Sequence, residues 1–165
     1  MSLRDGITFF GPQDIERLDQ LLASFLKETQ ATCAALVDRS GRLLVAAGDT
    51  GTMDRIAFAS LVAGDFAASD QLASLLGEPE FSSLYHQGEG RSMFLADVGG
   101  WAILAALFDG RTTLGMVRVK SKALVPRFTT VFADLAARGP AAPLSDLQPE
   151  WAAEAEGEID RLFTD

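Results

Sequence analysis

Apolar residues recur at helical spacing near the start of the chain, as Ile15, Leu18, Leu21, Leu22, Phe25 and Leu26. That periodicity predicts an amphipathic helix running to about Gln30. Gly11, Pro12 and Asp14 open it well, because proline there lacks only an N–H without an intrahelical partner, and a carboxylate suits the positive helix end. The next apolar runs, 32–37 and 43–47, are too short for ordinary helices and flank Ser40-Gly41. They read as a hairpin.

From about Asp54 to Leu76 the helical pattern returns, and Gly77 supplies a stop because glycine accepts left-handed geometry past a helix end. Two faces are expected of this second helix. Phe58, Leu61, Val62, Leu72, Leu75 and Leu76 would pack on a sheet. Ser60, Ala63, Gly64, Ala67 and Ala68, ending near Gln71, form a row of small groups that lets another backbone approach closely. Three strands are expected next, at 81–87, 92–98 and 101–108, with Gly88-Glu89-Gly90 and Gly99-Gly100 as turns of an antiparallel meander. Leu114, Val117, Ser121, Leu124, Phe128, Val131, Phe132 and Leu135 then keep helical phase, Pro126 should kink or divide that helix, and Gly139-Pro140 ends it. The order helix, two strands, helix, three strands, helix predicts an α+β fold, an α/β/α sandwich around a five-stranded antiparallel sheet. The second helix would cover one face and the terminal helices the other.

Residues 1–138 thus form one domain, 139–149 a linker marked by Pro140, Pro143 and Pro149, and 150–165 an acidic tail. Trp151, Ala155, Ile159, Leu162 and Phe163 set an apolar stripe on that tail. So short a helix is marginal in water, so the tail should gain order by docking. Its six acids and one base supply −5 of the chain's net charge of −9.

With 14 Lys and Arg against 23 Asp and Glu, the chain lacks the clustered cations that bind phosphates, so nucleic acid is not an expected partner. The single cysteine, Cys33, lies in an apolar run and reads as a small buried hydrophobe, since one thiol builds neither a disulfide framework nor a cysteine zinc site. The N-terminus has no apolar core of signal-peptide length, and no stretch approaches the ~20 apolar residues of a membrane span. A cytoplasmic protein is expected. The lone His86 has no ligand-like spacing around it and reads as structural; no metal site and no cofactor is expected. Gly88-Glu89-Gly90 lacks the Gly-Lys-Ser/Thr ending of a phosphate loop. Arg111, Arg118, Lys120, Lys122 and Arg127 form a basic stretch without an acid between Gly110 and Ala133. It is either a solvated face or a surface for an acidic partner or this chain's own tail. Arg111 is also a candidate for a cation supplied to a GTPase. Nothing in this inventory converges as a catalytic constellation.

The sequence resembles the Roadblock/LC7 family through Ala34-Ala35-Leu36-Val37-Asp38-Arg39-Ser40-Gly41 and the block Ala59-Ser60-Leu61-Val62-Ala63-Gly64. Leu75-Leu76-Gly77-Glu78, Phe81 with His86, Phe108-Asp109, Arg111-Thr112-Thr113-Leu114-Gly115 and Ile159-Asp160-Arg161-Leu162-Phe163 extend the likeness toward its bacterial MglB-type branch, regulators of the Ras-like GTPase MglA. The resemblance implies a homodimer that joins the third strands into one sheet and sets the second helices side by side, with one GTPase docked across them. By position, Ala63, Ala67, Ala68 and Gln71 would touch the GTPase, although Gln71 is larger than the family's small residue. Ile159, Leu162 and Phe163 of the tail would dock on the GTPase away from that interface and assist activation or nucleotide exchange. The implied role is GTPase activation in bacterial cell polarity or gliding motility, in the cytoplasm and at the cell pole, by repositioning the GTPase's own catalytic residues. The alternative is a scaffold that binds a GTPase or a polarity protein and leaves hydrolysis unchanged.

Overall fold

A computed structural model describes residues 10–139. The elements are α1 (Pro12–Thr29), β1 (Cys33–Asp38), β2 (Leu43–Gly48), α2 (Arg55–Leu75), β3 (Ser83–Gln87), β4 (Ser92–Val98), β5 (Ala102–Phe108) and α3 (Leu114–Arg138). The order and the fold class match the pattern of the sequence, with β3 and β5 starting slightly later than expected. The linker and tail lie outside the described residues.

The five strands pair antiparallel in the spatial order β2-β1-β5-β4-β3. Strands buried on both faces read as apolar runs rather than alternations, and β1 and β5 do so. Where they pair, alanine meets alanine, Ala34 opposite Ala106 and Ala35 opposite Ala105. These small groups leave room for rings descending from the helices. Phe128 and Phe132 of α3, with Leu18 and Leu22 of α1, fill one side of the sheet against Leu36 and Leu104. Phe66 and Val62 of α2 fill the other against Val37, Leu95 and Ile103.

Local signals act as their chemistry requires. The Asp14 carboxylate accepts the Gly11 N–H at 2.9 Å and closes the start of α1. Asp54 accepts from Ile56 and Ala57 at 3.1 and 3.0 Å at the start of α2. Gly77, with φ of 76°, takes the left-handed position after α2. Gly99 and Gly100, with φ of 60° and 74°, give the tight β4–β5 hairpin both of its positive angles.

Two expectations need adjustment. Of the kink or division expected at Pro126, the division does not occur, because α3 continues through it. The proline lies on the exposed side, where water can satisfy the Lys122 carbonyl that loses its donor. The second correction concerns α2. Of the residues expected on the sheet, Val62 is buried and Phe58 half-buried, whereas Leu61, Leu72, Leu75 and Leu76 are exposed. The buried stripe runs instead through Ala59, Val62, Phe66, Ser69 and Ala73, successive steps of three and four residues. Leu61 and Leu72 each precede a residue of that stripe, about 100° away around the helix.

Cys33 is 2% exposed at the start of β1, and burial pushes its thiol above the ordinary range by disfavouring the thiolate. A thiol reagent should therefore react with the folded chain at least about tenfold more slowly than with the chain in denaturant. Equal rates under the two conditions would contradict this placement.

Candidate functional site

The outward surface of α2 divides into two flanks. The first faces the β1–β2 turn. A side chain at Gly41 would bring its Cβ to 3.1 Å from the Ser60 Cα and 3.6 Å from the Ala63 Cβ, and Gly41 has φ of 90°. Part of the small-residue row is thus consumed inside the subunit, letting this turn lie against the helix. One turn further along, Ala67 is exposed.

Beside Ala63 and Ala67 lies an open depression of about 500 Å³, bounded also by Arg39, Asp70, Glu80, Asp97 and the Gly99-Gly100 turn. Arg39 organises it. Its guanidinium lies over the Phe66 ring, 4.8 Å from the centroid, and donates to Asp70 at 3.2 Å and to Asp97. Asp97 in turn accepts the Gly100 N–H at 3.0 Å. The Arg39 Nε is buried and has no hydrogen-bond partner among the described residues. One cation therefore ties the β1–β2 turn, α2 and the end of β4 together, against a wall that also carries Glu80.

The second flank faces β3. Asp65 reaches the His86 Nε2 at 2.6 Å and marks this side of the helix. Leu61, one turn before Asp65, and Leu72, two turns after it, share that side and are 72% and 57% exposed. β3 is the last strand of the sheet and pairs only with β4. An apolar helix stripe therefore runs alongside a strand whose outer N–H and C=O groups have no ladder partner. Such an edge, left open, invites pairing with another strand.

Among the described residues, no group of three or more His, Cys, Asp or Glu side chains is placed to hold a metal ion. Arg111 lies at the head of α3, where Asp109 accepts from its Nε at 3.0 Å. That hydrogen bond holds the Asp109 carboxyl below its usual range. No helix of the described residues is long and apolar enough to cross a membrane.

The Roadblock/LC7 domain model matches residues 17–108, more than half of the chain. The chain belongs to the Roadblock/LC7 family. Within known Roadblock structures it is similar to Myxococcus xanthus MglB, at 33% identity and a TM-score of 0.73, over 78% of this chain and 96% of that one. It is similar also to the gliding protein MglB of Thermus thermophilus, at 31% identity and a TM-score of 0.72, over 78% and 97% of the two chains. An MglB with a tetrameric arrangement matches at 28% identity and a TM-score of 0.72, over 79% and 97%. No curated protein matches the chain.

All four expected contact residues lie on α2. Buried Ala63 and exposed Ala67 line the depression, whereas Ala68 and Gln71 are exposed and do not line it. Ile159, Leu162 and Phe163 lie outside the described residues. The roles of Arg39, Asp70 and Asp97 are not legible in the sequence, because the pairings of Arg39 span 31 and 58 positions. The arginine immediately after an apolar strand was the one local signal of this network.

Proposed function

We propose that this Roadblock protein is a homodimeric activating partner of a small Ras-like GTPase of the MglA type, serving bacterial cell polarity or motility. The observation that carries the reading is the division of the α2 surface. One flank sets Leu61 and Leu72 beside the open β3 edge, a surface suited to a second copy of itself because apolar burial and strand pairing act together. The other flank sets Ala63 and Ala67 beside the Arg39 network, leaving space for a partner backbone. The likeness to MglB structures over most of this chain supports the same assignment.

In this reading one GTPase docks across the two α2 helices, contacting Ala63, Ala67, Ala68 and Gln71. Ile159, Leu162 and Phe163 supply a second contact. The partner's chemistry is its own. Holding a loop so that its charged and water-orienting groups meet the transferring phosphoryl lowers the barrier by placement and preorganised charge. Arg111, engaged by Asp109, is not required as a supplied cation.

The test is single-turnover GTP hydrolysis by an MglA-type GTPase, with and without this protein at two subunits per GTPase. Acceleration of about tenfold or more is expected, equivalent to about 1.4 kcal/mol off the barrier. A stable complex without acceleration would leave a scaffold. No complex would overturn the choice of partner.

A further inference from the structure

The surface opposite α2 carries a second concave feature, the groove between α1 and α3. These helices run antiparallel, tied by Arg17 to Asp134 at one end and by Lys120 to Glu28, at 2.8 Å, at the other. Between the ties lie two adjoining depressions of about 350 and 140 Å³ that share Leu21, Ser24 and Arg127. Phe25, Leu124 and Val131 form their apolar floor. Arg127 lines both. The surface continues past Lys120: Met116, one turn earlier on the same side of α3, is 45% exposed, and neighbouring Val119 is 64% exposed.

We propose that this groove receives the C-terminal segment of the same chain, residues 150–165, with Ile159, Leu162 and Phe163 on the apolar floor and its carboxylates toward Arg127. Three observations choose that occupant. The segment is apolar on one stripe and carries six acids against one base, while the groove is lined by Arg17, Lys120 and Arg127 against the single acid Glu28. Opposite charge at the rim and apolar groups at the centre is the pattern of a helix seated in a groove. Next, the chain leaves α3 beside the mouth of the groove, because Arg138 pairs with Asp14 in the first turn of α1. Finally, the lengths agree. The segment must turn back from Arg138 toward Arg127, about 16 Å along the helix axis. Residues 139–149 span at most about 36 Å when extended. A helix of residues 150–165 would be about 24 Å long, against about 21 Å from Met116 to Thr130.

Docked this way, the apolar residues of the tail would be covered in the free protein until a partner competes for them. The inference concerns the free protein and does not depend on the GTPase reading.

A full-length Thr164→Cys chain labelled with benzophenone maleimide tests it, since buried Cys33 is shielded from the reagent in the folded chain. Illumination is expected to give adducts at residues 17–28 and 116–131 of the same chain. Arg127→Glu, and separately Leu162→Asp with Phe163→Asp, should lower their yield at least fivefold, while Arg127→Lys preserves it. Adducts on α2, adducts joining isotopically distinct chains, or yields indifferent to all of these substitutions would each overturn the proposal. Hydrolysis by the GTPase is not measured, so failure here is separable from failure of the activating role.

Discussion

Ala67→Arg is expected to weaken binding of the MglA-type GTPase by at least tenfold, a loss of about 1.4 kcal/mol, while the subunit folds and pairs as before. Ala67 is exposed on the flank of α2 away from β3, so the larger side chain displaces nothing inside the subunit. Surface changes of this kind stay within about 0.5 kcal/mol of neutral. A guanidinium there would occupy the space that a partner backbone needs and reach for Asp70 and Glu80 across the depression. Titration of a fluorescent GTPase, alongside a melting curve and a solution mass, separates the outcomes. Unchanged affinity would remove Ala67 from the docking face, and dissociation of the subunits would move the small-residue flank into the dimer contact.

The largest effect on stability should come from Phe66→Ala, about 3–5 kcal/mol. Phe66 is fully buried and is the ring by which α2 grips Val37, Leu95 and Ile103. Its removal leaves a cavity that the alanine-rich sheet beneath is too short to fill. The ring also carries the Arg39 guanidinium, so the substitution should loosen the link among the β1–β2 turn, α2 and β4. Chemical denaturation checks the magnitude. A loss below about 1 kcal/mol would show that the helix is held chiefly by other contacts.

Helices and strands were legible because each had a period and a punctuating residue. Asp54 and Gly77 bound α2, and Gly99-Gly100 turns β4 into β5. The orientation of α2 was not legible in the same way. Its sequence is apolar on almost every side, with Leu61, Val62, Phe66, Leu72, Leu75 and Leu76 spread around the helix, and a helix apolar all round has more than one face to bury. The smaller stripe of Ala59, Val62, Phe66 and Ala73 fits the close-packed sheet better than the leucines do. The candidate site divides along the same line. Family likeness singled out Ala63 and Ala67, whereas the Arg39, Asp70 and Asp97 network is assembled from three separate elements and leaves no spacing to detect.

The two outer strands of the sheet are unlike. β3 presents a straight ladder of five residues in regular register with β4, whereas the β1–β2 ladder slips register between Leu36 and Val37. A bulge bends and twists a strand pair and makes it a poorer template for a further strand. Pairing of β3 with β3 of a second copy would leave β2 at both ends of the joined sheet. Growth by strand addition would then stop at two, because a pairing that uses the same edge on both partners closes on itself while the remaining edges are blunted. The irregularity in β1–β2 thus helps decide whether association yields a finite particle or a fibre.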